Sequence, residues 1–300
     1  MTGLAPMIYD VSHRTTYRYS TPVSFSHHVL HLVPRSFARQ TARRTMLSIT
    51  PTPTVHTSST DSFGNALTFI TLQDRHTELT LHAKSVIEVF APRRPDPAAT
   101  VPWETLYPDL SVDTGAATLD ALQFAFASPY VPISPELEAY ARISFVPDRP
   151  VLEAALDLTA RIFTEFVYDP TATTVSTPVG TVFAHRRGVC QDFAHLEIAC
   201  LRALRLPARY VSGYLLTRPP EGRERLVGAD ASHAWLAVWC PEYGWVDLDP
   251  TNNLLVGEEH ITLGWGRDYS DVSLVKGAIF GGGAQKIEVG VDVTALADDD

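Results

Sequence analysis

Two cysteines ten residues apart, Cys190 and Cys200, have very different neighbours in the stretch RRGVCQDFAHLEIACLRALRLP. Apolar residues recur at helical spacing from residue 193 to residue 204, which predicts an amphipathic helix that ends before Pro207. Cys190 would then lie at the helix N-terminus, where free backbone N–H groups and the helix dipole stabilise a thiolate and a developing oxyanion. Cys200 lies within the apolar face and Cys240 ends a predicted strand, so both are expected to be inert. Cys190 is therefore the candidate nucleophile.

A thiol nucleophile needs a base and the base needs an orienting group. His233 opens SHAWLAVWC, a predicted strand, and Asp249 lies near the end of the next predicted strand, GWVDLDPT. Residues 242–244 between them predict a hairpin turn, so adjacent antiparallel strands would place His233 beside Asp249. Asp247 shares a strand face with Asp249, so spacing alone leaves both carboxylates as candidates.

The other histidines are poorer candidates. His195 follows Cys190 by five residues, about 140° around the helix at ~100° per residue, and so points elsewhere. His27 and His28 lie in a predicted strand and face opposite sides of it, without a second cluster of metal ligands. We therefore expect no metal site and no cofactor.

Composition limits the class of protein. The 300 residues are 45% hydrophobic and 19% charged, which is typical of a globular protein that buries a core. The basic residues form no dense stripe or nucleic-acid-binding motif, and no apolar run reaches the ~18 residues of a membrane helix. The N-terminus has no secretory signal pattern, and three cysteines cannot form a disulfide framework. We expect a cytoplasmic protein with no nucleic-acid or membrane partner; the sequence does not predict its oligomeric state.

Two units are expected, because ten basic and five acidic residues occur in the first 95 positions, against 14 and 29 in the remainder. Residues 1–95 alternate apolar and polar side chains and predict a β domain, with a turn at DSFGN. Residues 96–115 belong to a proline-rich stretch and predict a linker, which is followed by a core over 116–300 with a C-terminal β tail. Three glycines at 281–283 predict a hairpin turn within that tail.

Three segments resemble the transglutaminase-like superfamily, a papain-like group of thiol enzymes. GVCQDFAHLEIACLRALRLPARYVSGY, SHAWLAVW and GWVDLDPTNN are similar to its Cys, His and Asp boxes in order and spacing. The segment YDVSHRTTYRYSTPVSFSHHVLHLVPR and the DSFGN turn resemble the β domain of the bacterial two-domain branch, and HITLGWGRDYSDVSLVKGAIFGGGAQKIEVGVDV resembles its tail. The resemblance implies an α+β fold: a nucleophile helix packed on an antiparallel sheet, preceded by an all-β sandwich-like domain.

The same resemblance implies roles for individual residues. Cys190 would be the nucleophile, His233 the general base and acid, and Asp249 the orienting carboxylate, because the family's acid immediately precedes the proline. Tyr168 is a candidate side-chain donor to the oxyanion, although aromatic packing explains this residue equally well. The implied reaction is acyl transfer from a peptide or protein amide through a thioester, with water or an amine as the acceptor.

Two further points follow from the resemblance. The animal members carry C-terminal barrels and calcium sites that have no counterpart in this sequence, so calcium dependence is not implied. The alternative is a catalytically silent module of the same fold that binds proteins. The intact set of Cys190, His233 and Asp249 favours the enzyme, because a degenerate site would be expected to lose at least one member.

Overall fold

The computed structural model describes residues 5–113, 115–217 and 232–296. Its helices are α1 (Trp103–Val112), α2 (Ala116–Leu122), α3 (Pro135–Ala141), α4 (Val151–Glu165), α5 (Val179–His185) and α6 (Cys190–Ala203). Its strands are β1 (Met7–Leu30), β2 (Gln40–Thr50), β3 (Val55–Thr60), β4 (Ala66–Leu72), β5 (His76–Val89), β6 (Val167–Tyr168), β7 (Arg187–Gly188), β8 (Ala208–Leu215), β9 (Ser232–Cys240), β10 (Gly244–Asp249), β11 (Leu254–Leu255), β12 (His260–Gly266), β13 (Val275–Gly281) and β14 (Gln285–Leu296). The α+β class predicted from the sequence is confirmed. Among the described residues, no helix is long and apolar enough to cross a membrane.

The N-terminal unit is a curled, antiparallel sheet built on the 24-residue strand β1. The first part of β1 pairs with β5 and its last part, Ser26–Leu30, pairs with β4. Side chains alternate along β1 between buried and exposed, as expected for a sheet with one face on a core. This curl encloses a cluster of apolar side chains that includes Leu30, Ile70 and Leu81.

The C-terminal strands belong to this same sheet. The sequence-based division assigns residues 275–296 to the core, whereas β13 and β14 both pair with β1. The predicted hairpin at residues 281–283 is wrong, because β13 and β14 run in the same direction along β1 and do not pair with each other. Gly281, Gly282 and Gly283 all have positive φ and belong to an irregular link between β13 and β14, which lies opposite residues 20–22 of β1.

The stretch predicted as a linker contains the helix α1. Proline density indicates a loop, and Pro108 does lie inside this helix. Leu106 and Leu110, one turn apart, are buried against the core of the second unit. The burial of these two leucines therefore outweighs the local proline penalty, and between residues 91 and 112 only residues 91–102 lack an α-helix.

The second unit packs α6 against one face of a five-stranded sheet with the order β11-β10-β9-β8-β12. Residues alternate along β9: Leu236 and Val238 face the helix, whereas Trp235 and Ala237 belong to a separate cluster. Residues 192–202 of α6 are all buried, so the helix is fixed along its length. This rigid layer holds the N-terminus of α6 relative to the sheet.

The DSFGN turn joins the two units. Asp61 Oδ1 accepts hydrogen bonds of 2.8 Å from the backbone N–H groups of Phe63 and Asn65, which confirms the predicted turn. The Asn65 side chain then donates to the carbonyl of Trp265 at 2.7 Å and accepts from its N–H at 3.0 Å. The turn therefore fixes the end of β12, the strand on which His260 lies.

Candidate functional site

Cys190 is the first residue of α6, as the apolar spacing predicts. The helix begins at this point because Asp192, two residues later, accepts a 2.8 Å hydrogen bond from the backbone N–H of Val189. Asp192 also accepts a 2.6 Å hydrogen bond from the hydroxyl of Thr173. Cys190 is partly exposed, whereas Cys200 and Cys240 are fully buried. Of the three thiols, Cys190 alone is both accessible and at a helix N-terminus.

The structure brings His233 to Asp249 and to Cys190. His233 Nε2 lies 2.8 Å from Asp249 Oδ2, across the hairpin of β9 and β10. Cys190 also interacts with this imidazole and raises its pKa, and Nδ1 is the ring nitrogen that Asp249 leaves open. Burial alone would lower the pKa of His233, but the hydrogen bonds to Asp249 and Cys190 and their negative charges outweigh it and raise this pKa well above 6.5. His233 is therefore poised as a cation between two acidic groups.

Asp249 is fully buried and is surrounded by donors. Its Oδ1 accepts from the backbone N–H groups of Thr251 at 2.9 Å and Asn252 at 3.2 Å, and its Oδ2 accepts from the Asn252 side chain at 2.7 Å. Burial works against the charged form, yet the hydrogen bonds, first those from His233 and His260, hold the pKa of Asp249 well below its usual range. The carboxylate is thus ionised and fixed in one orientation.

The sequence left Asp247 and Asp249 open on spacing, and the structure gives each a different partner. Asp247 forms an ion pair with Arg39 of the N-terminal unit, at a site with 11% of its side chain exposed. Asp249 is the carboxylate that contacts His233. The two residues share a strand face, as expected, but they lie at different points along β10 and bind different groups.

His260 is a member of the site that the sequence analysis did not find. Its Nε2 lies 3.1 Å from Asp249 Oδ2, the same oxygen that binds His233. Strand alternation could not indicate this contact, because β12 and β9 are separated by β8. The one signal in the sequence was that His260, like His233, begins an apolar strand.

Tyr168 lies close to Cys190. The two-residue strand β6 pairs with β7, and this pairing places Tyr168 opposite Gly188, two residues before Cys190. Burial and the nearby charge of Cys190 both raise the pKa of Tyr168. The side chain is 54% exposed, so its hydroxyl is free to face a substrate rather than the core.

The remaining candidates lie away from this chemistry. Burial raises the pKa of the Cys200 and Cys240 thiols, so both remain protonated. His195 points away from Cys190: its Nε2 accepts a 3.1 Å hydrogen bond from the backbone N–H of Tyr269, and its ring stacks on Tyr130. Burial lowers the pKa of His195 to about 3, so the ring is neutral. These groups complete the packing of α6.

The structure also contains one set of possible metal ligands among its described residues and a large cleft. His233, Asp249 and His260 offer three ligand atoms within 4.8 Å of one another, and no other such set occurs in the parts of the chain that the structure describes. In the structure the Nε2 atoms of both histidines are engaged in hydrogen bonds with Asp249 Oδ2. A cleft of about 820 Å³ lies beside the start of β10, between residues 91–95 and Trp245, and Cys190 and His233 do not line it. The reactive groups therefore identify the site better than cavity size does.

Glu197 is a fully buried acid two turns along α6 from Cys190. Its Oε1 lies 2.7 Å from the hydroxyl of Thr159, which also lies 3.0 Å from the carbonyl of Ala155. The Thr159 hydroxyl has one proton and can donate it to only one of these two oxygens. If it donates to the carbonyl of Ala155, a protonated Glu197 can donate its own proton to the Thr159 oxygen. Burial is the main cause that raises the pKa of Glu197 to about 8, and the charge of Asp249 adds to it.

This proton makes stability depend on pH. Between the unfolded pKa of 4.5 and the folded pKa of about 8, the unfolded chain releases the proton that the folded chain retains. The unfolded state then binds fewer protons, so stability falls as the pH rises through this window. Replacing Glu197 with glutamine, Glu197→Gln, removes the effect. We expect the free energy of unfolding of the variant, relative to that of the wild type, to be a few kcal/mol higher at pH 8 than at pH 4.5, as measured by urea unfolding. The control is Glu153→Gln, at a position of α4 that borders a surface groove. An equal gain in this control would contradict the assignment of the proton to Glu197.

Comparison with known proteins agrees with this architecture. A family described as "Bacterial transglutaminase-like N-terminal region" matches residues 9–88, and the "Transglutaminase-like superfamily" matches residues 139–250. An uncharacterized protein of Mycobacterium tuberculosis (strain H37Rv) is 40% identical over 299 residues, which cover 97% of this chain and 94% of that one. The protein-glutamine gamma-glutamyltransferase of Pseudomonas aeruginosa is 35% identical over 102 residues, 31% of this chain and 15% of its own.

A solved structure is similar throughout. The crystal structure of a protein from Cytophaga hutchinsonii, proposed to be a cysteine protease, has a TM-score of 0.78 and 22% identity and covers 99% of this chain and 93% of that one. The likeness shows the same fold in both units. It extends over the β domain as well as the layer of helix and sheet that holds Cys190 and His233.

Proposed function

Because the chain belongs to the transglutaminase-like superfamily and carries the N-terminal region of its bacterial members, we propose that it is a thiol enzyme of acyl transfer. Cys190, His233 and Asp249 would form its catalytic triad. The substrate would be a peptide or protein amide, and the reaction would pass through a thioester on Cys190, which is resolved by water or by an amine. No cofactor takes part in this scheme.

One observation carries the proposal: the His233 imidazole interacts both with a partly exposed thiol and with a buried carboxylate. A nucleophile, a base and an orienting group in that order are the requirements for activating a thiol. The raised pKa of His233 supports an imidazolium beside Cys190, which is the charge that would stabilise a thiolate.

The proposed steps balance in protons. The Cys190 thiolate attacks the amide carbonyl, and the N–H groups at the start of α6, with the Tyr168 hydroxyl, donate to the oxyanion. The Nδ1 proton of His233 then passes to the nitrogen of the leaving amine as the C–N bond breaks, which leaves an acyl thioester. Neutral His233 next takes a proton from water or from an acceptor amine, and this nucleophile displaces the thiolate. Asp249 keeps the ring oriented throughout.

A glutamine carboxamide is the acyl donor that we favour. The glutamyltransferase of Pseudomonas aeruginosa is similar to this chain over 102 residues, and its name specifies protein glutamine as the donor. With water as acceptor the product is a glutamate side chain, and with a primary amine it is a cross-linked or modified protein. Both outcomes release ammonia and share the first half of the reaction, so one assay of ammonia release detects both.

Alkylation tests the triad without a known substrate. Folded protein treated with iodoacetamide from pH 5 to pH 9 is expected to react at Cys190 much faster than at Cys200 or Cys240, as followed by mass spectrometry of the three peptides. Reaction at Cys190 should continue below pH 7, because the cationic His233 holds a thiolate beside it. His233→Ala should slow it markedly at pH 6.

The control is His185→Ala, which removes an exposed histidine from the helix that precedes the nucleophile. It should leave the rate of alkylation unchanged. The catalytic proposal fails if Cys190 reacts no faster than a free thiol in the denatured chain, or if His233→Ala leaves the alkylation rate of Cys190 unchanged. The protein would then be better described as a binding module of the same fold.

A further inference from the structure

His260 contacts the site from a strand that is not adjacent to the catalytic hairpin. Gly213 of β8 pairs with His233 on one side and with Thr262 of β12 on the other. The ring of Trp235 fills the space above this glycine, and the ring of His260 meets that indole edge-on with 5.2 Å between the centroids. His260 is thus held at a fixed angle by packing, with its Nε2 directed at Asp249.

Asp249 Oδ2 therefore serves two imidazoles at once, with His233 Nε2 at 2.8 Å and His260 Nε2 at 3.1 Å. Because Asp249 is ionised and can only accept, both rings must present an N–H at Nε2. His260 Nδ1 is buried and has no hydrogen-bond partner among the described residues. A proton on Nδ1 would be a buried donor without an acceptor, so the arrangement favours a neutral His260 with its single proton on Nε2.

We propose that His260 is a positioning residue that locks the carboxylate of Asp249 toward His233. It does so as a neutral donor from outside the hairpin. This inference rests on the proposed function of the Cys190, His233 and Asp249 triad. His260 is 5% exposed, and its one polar contact in the described residues is Asp249, so it acts through that carboxylate and not on the substrate.

The turn and His260 hold Asp249 from different elements of the fold. The turn after β10 supplies two backbone donors to Oδ1, from Thr251 and Asn252, and the Asn252 side chain as a donor to Oδ2. His260 approaches from β12, on the other side of β8, and adds a restraint on Oδ2 that does not depend on the turn. The Asp249 carboxylate then binds one cationic ring, His233, and one neutral ring, His260. Its negative charge therefore still stabilises the proton on His233.

Two variants test this inference. His260→Gln keeps an N–H near the position of Nε2, whereas His260→Leu removes it and fills the space. We expect His260→Leu to lower both kcat for a glutamine peptide with hydroxylamine as acceptor and the alkylation rate of Cys190 at pH 6 by roughly tenfold, with KM unchanged. His260→Gln should restore both to within roughly threefold of the wild type. Equal losses in the two variants would overturn the positioning role.

A measurement on the unmodified protein removes the dependence on variant folding. Long-range ¹H–¹⁵N NMR of ¹⁵N-histidine-labelled protein, assigned with His260→Gln, should show the neutral Nε2–H form of His260 at pH 7. A charged ring or an Nδ1–H form would overturn the inference.

The two proposals remain separable. If His233→Ala slows alkylation but His260→Leu alkylates as fast as the wild type, this inference alone is contradicted. An unchanged rate in His233→Ala contradicts the triad itself.

Discussion

Replacing Asp249 with asparagine is expected to lower kcat by roughly 10⁴-fold, about the loss that this change causes in other triads. The cause is the donor pattern around the side chain. Two backbone N–H groups point at Oδ1 and cannot reverse, whereas the donors at Oδ2 can, because the Asn252 amide can flip and His260 can change tautomer. The new amide NH₂ should therefore take the Oδ2 position. It would then donate to His233 Nε2 and force the ring proton onto Nδ1, facing Cys190. A ring protonated at Nδ1 and neutral cannot accept the proton of the thiol.

Formation of a hydroxamate from a glutamine peptide and hydroxylamine measures this loss, with Cys190→Ala setting the background. The matched control is Asp247→Asn, on the same strand and the same face. It removes a charge that pairs with Arg39 and lies near Arg209, and it leaves the contact between His233 and Asp249 in place. It should keep kcat within a few-fold of the wild type. Activity of Asp249→Asn within tenfold of the wild type would mean that the carboxylate does not set the tautomer of His233.

Local patterns in the sequence predicted much of this site. The helix start at Cys190, the hairpin of β9 and β10 and the turn at Asp61 each depend on residues within about twenty positions of one another. Spacing alone could also place His233 next to an acid of β10. It could not choose between Asp247 and Asp249. In the structure Asp249 lies beside His233, whereas Asp247 pairs with Arg39, which lies 208 residues earlier in the chain.

The features that escaped sequence reasoning are non-local. His260 reaches Asp249 across β8, so no period along one strand reveals the contact. Residues 275–296 alternate as any edge strand does, and only pairing shows that their partner is β1 at the other end of the chain. Helix α1 formed despite its prolines because Leu106 and Leu110 find a core built from later residues. Tertiary packing decided each of these cases over local propensity.

Gly213→Ala is expected to cause the largest loss of stability. A Cβ at this position would lie 2.1 Å from the carbonyl oxygen of Ile261 and 2.5 Å from the ring of Trp235. Neither neighbour can yield easily, since Ile261 is paired in β12 and Trp235 is completely buried. We expect a loss of about 3 kcal/mol in the free energy of unfolding, measured from urea midpoints at constant slope.

Gly180→Ala is the matched control, because its Cβ in α5 would meet nothing within 4 Å and should stabilise the chain by up to about 1 kcal/mol. Equal midpoints for the two variants would show that β8 has room for a side chain at residue 213. The same crowding links stability to chemistry. Any shift of β12 or β9 that relieves the overlap moves His260 or His233 relative to Asp249, so folded Gly213→Ala should also alkylate more slowly at Cys190. The absence of a side chain at residue 213 is thus what allows two histidines on separate strands to share one carboxylate oxygen.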